Sequence, residues 1–165
     1  MRKQTTAFLA LLILAACGQG NNEAAQTPAA TPAPAAEDLI RSRNASHWVV
    51  RDGTFENDTF TLRTSGLAFV QNAREAVTTG DAYTGEVVIA ANNAANVVVR
   101  ISNGCGTALN DQGQVTYQVQ PGENTLRVHH RFARPAECAR LSLTSQAPLT
   151  YRLTSARLMR VAASS

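Results

Sequence analysis

Between Asn96 and Thr154 the chain alternates apolar and polar side chains with a period of two, in five successive runs. They are Asn96–Ser102, Gln114–Gln120, Asn124–Phe132, Ala139–Ser145 and Thr150–Thr154. Successive side chains of an extended chain point to opposite faces, so each run can bury one face and wet the other, whereas an amphipathic helix needs a period near 3.6. Turn-forming residues separate the runs at Asn103-Gly104-Cys105-Gly106, Pro121-Gly122 and Ala147-Pro148. Upstream, Trp48–Arg51, Thr59–Arg63, Leu67–Val70 and Tyr83–Ala91 have strand composition, and Asp52-Gly53 reads as a hairpin turn. Helical patterning is confined to a turn or two near Asp38–Asn44 or Asn72–Val77. Eight or nine short strands in residues 38–165 predict one all-β domain, an antiparallel β-sandwich in preference to a barrel.

The first residues carry an address. Arg2 and Lys3 form a positive start, and Ala7–Ala16 is a short apolar run ending in small residues, the pattern of a secretory signal. Ten apolar residues fall short of the roughly 20 that a membrane-spanning helix needs. Residues 1–16 are therefore expected to be a signal peptide. Leu14-Ala15-Ala16-Cys17 resembles the lipobox of bacterial lipoproteins. That resemblance implies a diacylglyceryl group on the Cys17 thiol, cleavage just before it, and acylation of its new amino group by a chain such as palmitate. Two or more acyl chains give a durable anchor, since each buried methylene adds about 0.8 kcal/mol. The same resemblance would place Asp at position 18 in a lipoprotein retained at the inner membrane, and Gly18 stands there instead. The expectation is therefore the outer membrane of the cell envelope. A plain signal peptide releasing a soluble periplasmic protein is the alternative.

Residues 17–37 hold Pro28, Pro32 and Pro34, many alanines and no large apolar side chain. Such a segment buries too little surface to offset its ordering entropy and reads as a disordered tether with polyproline II bias, reaching up to roughly 60 Å at about 3.1 Å per residue. Charge is distributed with the same asymmetry. Setting Arg2 and Lys3 aside from the fifteen basic residues leaves thirteen arginines against twelve acidic residues. The remainder is nearly neutral, which removes the electrostatic case for nucleic acid as a partner.

With Cys17 assigned to lipid, two cysteines remain for an oxidising compartment. If the runs at 96–102, 114–120 and 124–132 go up, down and up, the loops after Ser102 and Phe132 emerge at one end. Cys105 lies in the first and Cys138 in the second, so a Cys105–Cys138 disulfide is expected, with free thiols or a metal site including a histidine as alternatives.

Motifs for chemistry are absent: no Gly-x-Ser-x-Gly, no His-Glu-x-x-His, no phosphate-binding glycine loop and no calcium loop. No catalytic residue, metal or cofactor is assigned, and the chain is expected not to be an enzyme. His129 and His130 are neighbours on one strand and point to opposite faces, so they cannot chelate an ion together. His130 aligns with Leu126, Val128 and Phe132 toward the core. Alternation places Arg100, Gln118, Arg127, His129 and Arg131 outward, predicting a polar surface on one sheet that could fork onto carboxylate, phosphate or sulfate. An ordinary solvated face with arginines paired to nearby acids is the alternative. Trp48 is the one large aromatic platform, otherwise a core side chain.

The run from Tyr83-Thr84-Gly85-Glu86-Val87-Val88-Ile89 through Val97–Ile101, Pro121–Val128 and Leu153–Met159 resembles the second half of a galactose-binding-like jelly roll, the fold of many carbohydrate-binding modules. The resemblance implies binding to sugars or proteins and rarely catalysis. The expectation is an envelope lipoprotein whose sandwich is a non-catalytic binding module, for carbohydrate or acidic envelope glycan. The alternative is a structural accessory lipoprotein docked onto a larger envelope protein complex.

Overall fold

The computed structural model describes residues 37–39, 47–72, 75–103 and 111–161. The signal peptide, Cys17, Cys105 and nearly all of the expected tether lie outside the described residues. Among the described residues nine strands follow in order: β1 (Glu37–Asp38), β2 (Val49–Glu56), β3 (Thr59–Gln71), β4 (Ala82–Ala91), β5 (Ala95–Ser102), β6 (Gln112–Val119), β7 (Gly122–Arg131), β8 (Arg140–Ser145) and β9 (Leu149–Val161). Among the described residues no helix is long and apolar enough to cross a membrane. Near Asn72–Val77, where a helical turn is one expectation, Val77 instead bridges to Ala136.

All pairings are antiparallel, and the hydrogen-bonded order is β6-β5-β8-β3-β9-β4-β7, with β2 on β3 and β1 on β9. This path is folded over at β3. Its first part, Thr59–Leu62, pairs with Leu149–Arg152 of β9, whereas Leu67–Gln71 pairs with β8. The bend comes where β2 and β3 shift register between Arg51 and Gly53, with Asp52 (φ 53°) and Ser65 (φ 65°) in left-handed backbone. The hairpin turn expected at Asp52-Gly53 is therefore a bulge inside β2. The chain reverses at Asn57-Asp58, whose φ values of 49° and 60° suit the tight turn that matches strand twist. Thr59–Arg63 and Leu67–Val70, read from sequence as two strands, are the two halves of bent β3.

The result is the expected antiparallel β-sandwich, with β2, β3, β8, β5 and β6 in one layer and β3, β9, β4 and β7 in the other. Alternation decides what lies between them. Val97, Val99 and Ile101 of β5, Leu141 and Leu143 of β8, Val87 and Ile89 of β4, and Val128 of β7 are fully buried. Phe60 stacks on Tyr151 with centroids 4.9 Å apart and meets Trp48 edge-on at 6.3 Å. The layers approach closely at Gly85 of β4, where a Cβ would stand 2.6 Å from Leu141 Cδ1 and 3.1 Å from Val128 Cγ1.

Strands β6 and β7 are consecutive but not ladder partners. The Tyr117 hydroxyl spans between them, donating to the Arg127 carbonyl at 2.5 Å and accepting from the Arg127 N–H at 3.0 Å. Nearby, Asp111 receives the Ala133 and Arg134 N–H groups at 2.7 and 3.0 Å and pairs with His130 Nε2 at 2.7 Å. The inward histidine thus has the hydrogen-bonded structural role that its strand position suggests.

The packing at Gly85 and at Tyr151 can each be tested by one substitution. Replacing Gly85 with Val forces methyl groups against Leu141 and Val128, and overpacking of this kind is expected to cost about 1–3 kcal/mol in urea unfolding; an unchanged midpoint would mean the layers do not meet there. Burial also raises the Tyr151 hydroxyl well above its ordinary value. The unfolded chain then loses that proton above about pH 10 while the native chain keeps it, so stability falls as pH rises from there. Tyr151→Phe is expected to flatten the alkaline slope of stability, measured by urea unfolding at successive pH values, and an unaltered slope would contradict the assignment.

Candidate functional site: the arginine-bearing sheet face

The outer face of the β2-β3-β8-β5-β6 layer is laid out in cross-strand rows by the register. One row is Val49, Phe69, Ser142, Arg100 and Gln114. A second is Arg51, Leu67, Thr144, Val98 and Thr116, and a third is Gln71, Arg140, Ser102 and Gln112. Asn96 and Gln118 continue the face on β5 and β6. These rows contain three arginines and no Asp or Glu.

Phe69 is the centre of the face. It is 6% exposed, yet it stands apart from the inner core because its strand neighbours Ala68 and Val70 take the inward positions. Guanidinium groups cover it instead: Arg140 Cζ lies 4.2 Å from the ring centroid and Arg51 Cζ 5.6 Å. Both distances are within the range of cation–π attraction. Arg140 Nη2 donates to Gln71 Oε1 at 3.2 Å, while its buried Nε has no hydrogen-bond partner. Burial, and secondarily the positive charge of Arg51, lower the Arg140 pKa from its ordinary value. One row away from Arg140, Arg100 donates from Nε and Nη2 to Gln114 Oε1 at 3.1 and 2.8 Å.

The structure divides the five-residue polar surface expected from sequence. Arg100 and Gln118 are on this face, whereas Arg127, His129 and Arg131 belong to β7 in the other layer. Strand β7 takes β4 as its ladder partner, so the three side chains find their contacts there. Arg127 Nε donates to Glu86 Oε2 at 2.8 Å, His129 Nδ1 and Thr84 Oγ1 share a hydrogen bond at 2.8 Å, and Arg131 Nη1 donates to the Gly80 carbonyl at 2.8 Å. Arg160 on β9 sits within 3.5 Å of both Glu75 and Asp81 and donates to the Tyr83 hydroxyl. On that layer Arg127 and Arg160 thus have acidic partners and Arg131 a carbonyl.

Trp48 is a core side chain and not an exposed platform. It is 7% exposed and packed against Phe60, with its Nε1 buried and unpartnered. Sequence reasoning misses Phe69, Arg51 and Arg140. Among the described residues no group of three His, Cys, Asp or Glu side chains could hold a metal ion.

Cys138 is buried and disulfide-bonded, and Cys105 lies outside the described residues. The pairing of these two is tested by non-reducing peptide mapping, expected to yield one linked peptide containing Cys105 and Cys138. Recovery of both as free thiols would reject it. Loss of the bond is expected to cost on the order of 3–4 kcal/mol.

No protein-family model matches the chain, and no curated protein matches it by sequence. Solved structures do. The CBM22-1 xylan-binding domain of Paenibacillus barcinonensis Xyn10C superposes with a TM-score of 0.55 at 17% identity, covering 78% of this chain and 94% of that one. The CBM22-1–GH10 modules of Clostridium thermocellum xylanase Xyn10B, complexed with xylohexaose, give a TM-score of 0.51 at 12% identity. There the match covers 79% of this chain and 28% of that longer one. At these identities the likeness is one of fold: the chain has the β-sandwich of carbohydrate-binding modules.

Proposed function

We propose that the chain is a non-catalytic carbohydrate-binding module, held at the bacterial cell envelope by lipid on Cys17. The observation that carries the binding reading is the three-row face of the β2-β3-β8-β5-β6 layer. It offers guanidinium, amide and hydroxyl groups from Arg51, Arg100, Arg140, Gln71, Gln114 and Thr144 on a rigid sheet, where hydrogen-bonding groups are held in fixed register. Sugars carry hydroxyls on every side, and an array of forked donors and two-way amides suits them. The fold likeness to a xylan-binding domain supports the same reading.

The anchor half of the proposal rests on the Leu14-Ala15-Ala16-Cys17 resemblance and the Pro-rich segment behind it. An acylated Cys17 would leave the sandwich attached to a membrane through the tether, placed to meet polysaccharide beside it.

Both halves are open to direct test. The full chain, solubilised in mild detergent, is expected to be retarded in affinity gels containing soluble polysaccharide, and Arg100→Ala to weaken that retardation about tenfold, the effect of losing one charge-assisted hydrogen bond. Migration unchanged across neutral and acidic polysaccharides would overturn the binding reading. In cells, palmitate labelling is expected to mark the parent and not Cys17→Ser; an unlabelled parent would overturn the anchor.

A further inference from the structure

No carboxylate stands in the rows of the three arginines of the face, whereas two arginines of the opposite layer have acidic partners. Arg127 has Glu86, and Arg160 has Glu75 and Asp81. Arg51 and Arg140 are brought to one ring, Phe69, and the cross-strand neighbours in their rows are all uncharged. Like charges at close quarters raise the free energy of the empty site, and an anion set between them would remove that cost. Arg140 is half-buried, and its guanidinium is held over the ring with Nη2 on Gln71 Oε1 at 3.2 Å, which leaves further Nη–H donors of the fork for a charged acceptor. Phe69 lies beneath the guanidinium groups at 6% exposure, so it is poorly placed to stack against a neutral sugar ring. Its role in the geometry is to hold Arg140.

Resting on the glycan reading above, we propose that Arg51 and Arg140 form a carboxylate-binding site on the Phe69 ring, and that the ligand is a uronate-bearing polysaccharide. A carboxylate presents two coplanar oxygens, which the planar guanidinium fork can bond in parallel. Arg100, one strand beyond Ser142 in the row of Phe69, stands on the same face for a further anionic residue of the polymer.

The test compares the full chain on polygalacturonate, on the same polymer after methyl esterification, on dextran sulfate and on neutral xylan, by affinity electrophoresis at low salt. Retardation is expected on polygalacturonate and to fall about tenfold on esterification, which removes charge and keeps the sugar. Arg51→Gln and Arg140→Gln should each reproduce that loss, while Arg127→Gln and Arg131→Gln should leave binding as it is. Arg140 packs on Phe69, so a thermal melt accompanies each variant, and exposed Arg51 carries the test if Arg140→Gln unfolds. Equal binding of esterified and acidic polymer, or parent-like binding by Arg51→Gln, overturns the carboxylate site and leaves the glycan reading standing. Equal or tighter binding of dextran sulfate overturns the preference for carboxylate. Binding to none of the four overturns both.

Discussion

The fold depends on one bent strand. β3 is thirteen residues long and gives its first half to β9 and its second to β8, so it belongs to both layers. Were it straight, the hydrogen-bonded path from β6 to β7 would extend as one open sheet with a large apolar face toward water. The left-handed backbone at Asp52 and Ser65 and the register shift between β2 and β3 turn the path over, and the apolar sides of the two halves then cover each other. Gly85 sits at one close approach of the two halves, and Leu141 occupies the space that a side chain on Gly85 would take.

The same bend separates the two outer faces and lets their charges be organised differently. On the β9-β4-β7 layer, Arg127 and Arg160 meet acids supplied by a neighbouring strand or loop and Arg131 meets a carbonyl, so two of these three guanidinium groups lie beside an opposite charge. On the other layer the register sets arginine beside serine, glutamine and leucine, and packs two of the guanidinium groups onto phenylalanine. Cation–π contact holds those groups in place but does not neutralise them. A chain whose fifteen basic residues barely exceed its twelve acidic ones can in this way carry one face that is locally positive.

Strand content and layer class are legible in the sequence because alternation from Asn96 onward is regular, and the inward sides of β5, β7 and β8 follow it. The bend of β3 is not legible, since Arg63-Thr64-Ser65-Gly66 reads as a break between strands. The outward arginines Arg100 and Arg127 are each placed on the correct side of their own strand. Their grouping depends on which strands pair, and the Pro121-Gly122 turn between β6 and β7 suggests a ladder that the structure replaces with a crossing between layers. Phe69 hides in the run Leu67-Ala68-Phe69-Val70, which is apolar on both sides and so gives no inward direction. Its cationic partners come from β2 and β8, far apart in the chain, and only the topology joins them.

The hydroxyl of Tyr117 has a consequence for behaviour in a crowded compartment. Where β6 and β7 approach without a ladder, each has backbone groups that a strand of another molecule could recruit. By occupying both the N–H and the carbonyl of Arg127, one phenol withdraws that peptide from the offer, and at Gly113 β6 lies so near β7 that a Cβ would stand 2.7 Å from the His129 carbonyl oxygen. At the Arg127 peptide the unzipped side of the sandwich is capped by side-chain chemistry, where a closed barrel would have relied on continuous pairing.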